Sequence, residues 1–160
     1  MKKIILTLAF AVGMVSVLSA QIKSSTVGLR LGYDSQEISF QSQLGDENRL
    51  ELGLGSNSFG TNMAGDTSWG VAINGVYQWV WDLSDFYDGF NWYAGFGGAL
   101  VSHSKYVGVG ALGQVGIEYN FEFPLQLSLD YRPGFYIIPG SDRLMRFSYN
   151  TPCIGVRYCF

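Results

Sequence analysis

The sequence holds 160 residues, 48% hydrophobic, 16% aromatic and only 14% charged, with a formal net charge of −3. Charge lies well below the roughly 25% usual for soluble domains, and 10 Tyr, 11 Phe and 4 Trp exclude a disordered tail, which would be poor in aromatics. The acidic balance excludes the basic face that nucleic-acid binding needs. Past the N-terminus no apolar run approaches the ~18 residues of a spanning helix, which leaves an all-β chain with 21 Gly.

In chain order, Met1-Lys2-Lys3 is a basic n-region and Ile4 to Val17 an apolar h-region. Ser19-Ala20 then offers small residues for cleavage, so residues 1–20 are expected to be a secretory signal peptide and 21–160 the mature barrel. Leu18 at the −3 position is larger than signal peptidase prefers, which makes cleavage after Ser19 the fallback. Removing Lys2 and Lys3 from the 10 basic residues leaves 8 against 13 acidic, a net of about −5.

The mature chain alternates with a period of two, the mark of strands with two different faces. Val27, Leu29, Leu31 and Tyr33 oppose Thr26, Gly28, Arg30 and Gly32; Ile38, Phe40 and Leu44 oppose Glu37, Ser39, Gln41 and Gln43. After a turn at Gly45–Asn48, Leu50, Leu52 and Leu54 oppose Arg49, Glu51, Gly53 and Gly55. A polar loop is expected from about Ser58 to Thr67, then a long strand with Trp69, Val71, Ile73, Tyr77, Trp79 and Trp81 on one face. Asp82 to Gly89 breaks the pattern, and Trp92, Ala94, Phe96 and Leu100 resume it, with Tyr93, Gly95, Gly97 and Ala99 opposite. Ser102–Lys105 reads as a loop. Val107 to Tyr119, Leu125 to Tyr131 and Ile154 to Phe160 complete eight up-and-down strands, with a Pro139-Gly140 loop before the last.

The second face is Gly, Ala, Ser, Asn and Gln with isolated Arg, Glu and Asp, a poor solvent face. Small residues suit the cramped interior of an eight-stranded barrel, and an apolar face without charges suits hydrocarbon. In lipid every backbone group must be paired internally, which a sheet achieves only by closing. The expected fold is therefore an all-β, eight-stranded antiparallel up-and-down transmembrane barrel. Tyr77, Trp79, Trp81, Trp92, Tyr119, Tyr158 and Phe160 would form the aromatic girdle of one rim, and Tyr33, Trp69, Phe135 and Tyr136 that of the other.

Ile154-x-Val156-x-Tyr158-x-Phe160, ending on an aromatic, resembles the C-terminal signature of bacterial outer-membrane barrels. The whole mature chain is similar to small eight-stranded barrels of the OmpA/OmpX type, among them the compact, Gly-rich outer-membrane barrel families of Gram-negative bacteria. That resemblance implies residence in the outer membrane, contact with its lipids and lipopolysaccharide, and recognition by periplasmic chaperones and the barrel-assembly machinery. Ile154, Val156, Tyr158 and Phe160 would be the assembly signal. It implies a monomer with a structural or surface-interaction role, without a cofactor. A lipid-modifying enzyme and a small passive pore are the alternatives.

Arg30, Arg49, Glu51, Glu118, Asp130, Arg132 and Arg157 all take the inward parity. Buried charges must be paired, so these are expected to cross-link the lumen as a plug rather than line a conduit. His103 is the sole His, which leaves metal binding little basis. As a base beside Ser102 and Ser104 it lacks the His-x-Ser spacing expected of a lipid A deacylase, because Lys105 occupies that place. Cys153 and Cys159 lie six residues apart on one strand, roughly 20 Å at strand rise, too far for a disulfide. Both are expected to be free interior thiols.

Overall fold

The computed structural model describes residues 25–32, 35–61, 67–103, 106–140, 145–148 and 152–160. Ten strand segments are present: β1 (Ser25–Leu31), β2 (Ser35–Gln43), β3 (Asn48–Thr61), β4 (Thr67–Asp82), β5 (Phe90–His103), β6 (Tyr106–Asn120), β7 (Leu125–Tyr131), β8 (Gly134–Ile137), β9 (Met145–Ser148) and β10 (Cys153–Cys159). They occupy eight positions in one closed antiparallel ring. β1 to β6 pair consecutively, β6 pairs with both β7 and β8, and β10 joins β7 to β1. The ring is sealed where Ser25 and Phe160 exchange backbone hydrogen bonds of 3.1 and 2.9 Å. No helix occurs among the described residues.

β7 and β8 are one strand interrupted at Arg132-Pro133. Proline lacks the N–H that the ladder needs, yet its carbonyl accepts from Gly113 N at 3.0 Å and keeps the chain on β6. The connections 44–47, 83–89 and 121–124 define one end of the barrel, the turn end, and the remaining connections define the loop end.

Burial follows the alternation. Leu29, Leu31, Leu52, Leu54, Ile73, Leu100, Ile117, Leu129 and Ile154 point outward and are 45–57% exposed. No outward-facing strand position among the described residues carries an acid or a base. The polar parity lies inside: Arg30, Glu51, Gln78, Asp130 and Arg157 are at most 2% exposed.

Three expectations need correction. The connections at the loop end are shorter than the polar composition suggests. β3 runs to Thr61 and β4 starts at Thr67, with a register shift between Ser58 and Thr61. β5 includes Ser102 and His103, which pair with Val107 and Tyr106. Backbone pairing continues wherever two neighbouring strands stay in register, whether or not the side chains are apolar. Third, Tyr136 is not a rim aromatic. The inward parity of Gln126, Ser128, Asp130 and Arg132 persists through Pro133, so Gly134, Tyr136 and Ile138 also face inward, and Tyr136 is completely buried. Residues 1–20, Tyr33, Ser104 and Lys105, and the side chains of Trp69 and His103, lie outside the described residues.

The turn-end rim carries the expected rings. Trp81 stacks on Trp92 with centroids 4.2 Å apart, Trp79 contacts Tyr77 and Phe96, and Tyr158 stacks over Phe160. These rings sit at neighbouring positions of adjacent outward rows, as the pairs Trp81↔Trp92 and Tyr77↔Phe96 require.

Candidate functional site

The candidate site is the lumen, and its side chains come from every ring position. Strand pairing places Arg30 opposite Glu37 and Arg49 opposite Gln78. Long side chains then cross the barrel to reach the far wall.

Toward the loop end, the Arg30 guanidinium donates to Asp130 at 2.8 Å through Nε and lies 2.6 Å from it through Nη2. The same group is 3.6 Å from Glu37 and donates to Ser35, whose hydroxyl is 3.2 Å from the Cys153 thiol. Arg132 donates through Nη1 to Glu37 at 2.9 Å and to Asn74 at 3.0 Å. Its Nη2 donates to Glu51 at 2.5 Å.

Glu51 is the hub of the middle layer. It is fully buried and accepts from Arg132, from Gln41 at 2.7 Å, from Gln78 at 2.9 Å and from Arg157 at 3.4 Å. Arg157 is further held by Ser39 and Ser128 at 3.0 and 2.6 Å. Toward the turn end, Arg49 donates to Gln78 and to Glu118 at 2.9 Å, and its guanidinium carbon lies 4.7 Å from the centroid of the Tyr93 ring. The Tyr93 hydroxyl in turn donates to Asp130 at 3.3 Å.

All seven expected interior residues are thus brought into one network. An eighth was missed. Glu37 bridges Arg30 and Arg132 and is 2% exposed. Its signal was in the sequence: it shares the parity of Ser39 and Gln41, and four cations against three anions left one positive charge without a partner. With Glu37 the lumen holds four arginines and four carboxylates among the described residues, and each of these arginines lies within ion-pair distance of a carboxylate.

A second omission is apolar. Ala72, Val76, Ala99, Val101, Leu112, Tyr136 and Ile138 form a buried cluster inside the barrel, on the loop-side part of β4, β5, β6 and β8. Ala72 and Ala99 fall on the face expected to be inward, but the parity of Val76, Val101 and Leu112 is hidden in the sequence because both faces of these strands carry aliphatic residues.

Below the network a vestibule of about 750 Å³ opens at the turn end. Arg49 and Glu118 lie in its wall with Asp46, Glu47, Asp82 and Glu122. Cys159 lines it and is half-buried, Cys153 is buried, and neither forms a disulfide among the described residues. Among the described residues no group of three His, Cys, Asp or Glu is placed to hold a metal ion. The arrangement fills and cross-links the lumen with hydrogen-bonded charge.

No known protein family matches the sequence, and no characterised protein is found as a relative. The structure is similar to that of Neisserial surface protein A (NspA), with a TM-score of 0.63 at 14% sequence identity, over 86% of this chain and 94% of that one. That likeness establishes the shared closed eight-stranded fold.

Proposed function

We propose that the chain is an integral outer-membrane β-barrel with a structural or surface-interaction role, its lumen plugged by the Arg–carboxylate network. One observation carries this reading: the molecule is inside out. Arg30, Glu37, Arg49, Glu51, Glu118, Asp130, Arg132 and Arg157 are buried in the lumen, while leucines and isoleucines about half exposed cover the outside. A patch of that extent is foreign to a water-facing surface and matches the lipid-facing band of a barrel. The Trp and Tyr rings at the turn end support it, since such rings favour the interface between acyl chains and headgroups. The name of the similar neisserial protein places that protein at a cell surface, which is consistent with the same role here.

On this reading the barrel is a monomer in contact with outer-membrane phospholipid and lipopolysaccharide, without catalytic role or cofactor. The loop end faces away from the cell. The turn end faces the periplasm, where chaperones deliver the chain and the assembly machinery reads Ile154, Val156, Tyr158 and Phe160. Fractionation of expressing cells, with gel migration compared before and after heating, tests it. The expected product is in the outer-membrane fraction and shifts on heating; a soluble periplasmic product overturns the reading. Deleting Phe160 is expected to lower the amount of folded barrel in the membrane far more than Phe147→Ala. Phe147 is also an outward ring, 62% exposed and 4.9 Å from Phe135, so equal losses would reduce the terminal motif to packing.

A further inference from the structure

The turn end carries more than a girdle. Beyond the Trp81–Trp92 pair, the turn at 83–89 and the start of the turn after β6 enclose a groove of about 570 Å³. Phe86, Tyr87, Asp88, Tyr119, Phe121 and Glu122 line it. The rings form a continuous chain: Tyr87 to Tyr119 at 6.1 Å and Tyr119 to Phe121 edge-on at 4.7 Å. Phe86 and Tyr87 are 87% and 64% exposed, which the barrel itself does not require. The walls are fixed to each other, because Asn120 N donates to Gly89 O at 2.8 Å. Gly89 has a φ of +87°, and a Cβ there would lie 2.5 Å from the Asn120 carbonyl. Only glycine lets the two turns close up in this way.

The charge of this end is one-sided. The turns carry Asp46, Glu47, Asp82, Asp85, Asp88 and Glu122, and residues 44–48, 82–91 and 120–125 include no Lys or Arg. Asp88 and Glu122 form no ion pair or hydrogen bond among the described residues. Aromatic faces flanked by free carboxylates attract a cation, and above all an alkylammonium. They disfavour a headgroup whose negative charge is not offset by a cation of its own.

Position selects the source of that ammonium. Tyr119 lies two residues beyond Ile117, and Phe90 two before Trp92, so the outward apolar face runs without a break into the groove. We propose that this groove holds the ammonium headgroup of a phospholipid whose acyl chains lie along the outward face beside Trp92 and Ile117. The inference rests on the membrane-barrel reading. It deepens that reading by naming the lipid class that the turn end takes.

The test uses the full barrel refolded in an uncharged maltoside detergent and titrated with short-chain phosphatidylethanolamine, short-chain phosphatidylglycerol or free phosphoethanolamine. Amide resonances of Gly89, Asn120 and Glu122 report binding. Saturable shifts with the ethanolamine lipid are expected, with affinity about ten-fold or more above that for the glycerol lipid, the scale of one desolvated cation–π contact. Asp88→Asn with Glu122→Gln should remove most of that preference. Tyr119→Leu should do the same while migration on heating stays as in the parent. Equal response to the two lipids, no saturable response, or an unaffected double variant overturns the proposal. Free phosphoethanolamine binding as tightly as the lipid also overturns it, in favour of a soluble ligand. Oligolysine binding where the lipid does not would point instead to a basic polypeptide. Cell fractionation decides the membrane reading separately, because the titration needs only a folded barrel.

Discussion

The lumen is filled in two different ways. Between β1, β2, β3, β7, β10 and the turn-side part of β6 the filling is ionic, with four arginines and four carboxylates among the described residues interleaved with Gln, Ser and Asn. Between β4, β5, β6 and β8 it is aliphatic, with Val76, Val101, Leu112 and Ile138 packed around the Tyr136 ring. Both halves are buried, but they tolerate change differently. An aliphatic residue can be shortened at the cost of a cavity, whereas a buried guanidinium that loses its carboxylate is left charged without a partner. The ionic half therefore concentrates stability on a few atoms, and Glu51 carries most of them.

Glu51→Ala should have the largest effect. Among the described residues it removes the only carboxylate within ion-pair distance of Arg157 and one of two beside Arg132. Stranding a buried charge in this way typically costs about 3–5 kcal/mol. Urea unfolding of the refolded barrel, followed by tryptophan fluorescence and by migration on heating, measures it. A loss of less than about 1 kcal/mol, the scale of an exposed pair, would show that Arg157 finds water and that the network is not sealed.

Leu112→Ala probes the other half. Leu112 is 4% exposed and sits opposite Gly97 on β5 and Gly134 on β8. Neither glycine can fill the space left behind, so a loss of about 3 kcal/mol is expected. The same titration checks it. A cost above that of Glu51→Ala would reverse the ranking and make the aliphatic half the dominant core.

The contrast also explains what the sequence made legible. Parity alone assigns Arg30, Glu51, Arg132 and Arg157 to the lumen, because a charge on one face of an otherwise apolar strand can only be inward. Parity does not say which far-wall residue each one meets. The Arg132–Glu51 contact joins residues 81 apart in sequence and depends on the tilt of the strands. Val76, Val101 and Leu112 escape the same reasoning, since an aliphatic residue reads equally well on either face. Tyr136 was misplaced for a related reason: Pro133 looks like the end of a strand, but its carbonyl still pairs with Gly113 and the alternation runs on. The turn-end groove had even less signal. Phe86, Tyr119 and Glu122 come together only because β5 and β6 pair in register.

The smallest effects should come from glycines, and two adjacent ones separate the inside from the outside. Gly97 faces inward between Val76 on β4 and Leu112 on β6. A Cβ there would lie 1.9 Å from the Gly75 carbonyl oxygen and 2.7 Å from Val76 Cα, both backbone atoms that cannot swing aside. Gly98 faces outward, and the nearest atom to its Cβ would be the Gly110 carbonyl oxygen at 3.4 Å, an ordinary contact. Gly97→Ala should therefore cost about 2 kcal/mol through overpacking, while Gly98→Ala should stay within about 0.5 kcal/mol. A pair of unfolding curves in the same detergent resolves the difference. If Gly98→Ala were the more damaging, the outward row of small residues would be under a constraint that the barrel alone does not impose. If both were neutral, β4 and β5 would have room to move apart, and the aliphatic half of the lumen would be looser than its complete burial of Val76 and Tyr136 implies.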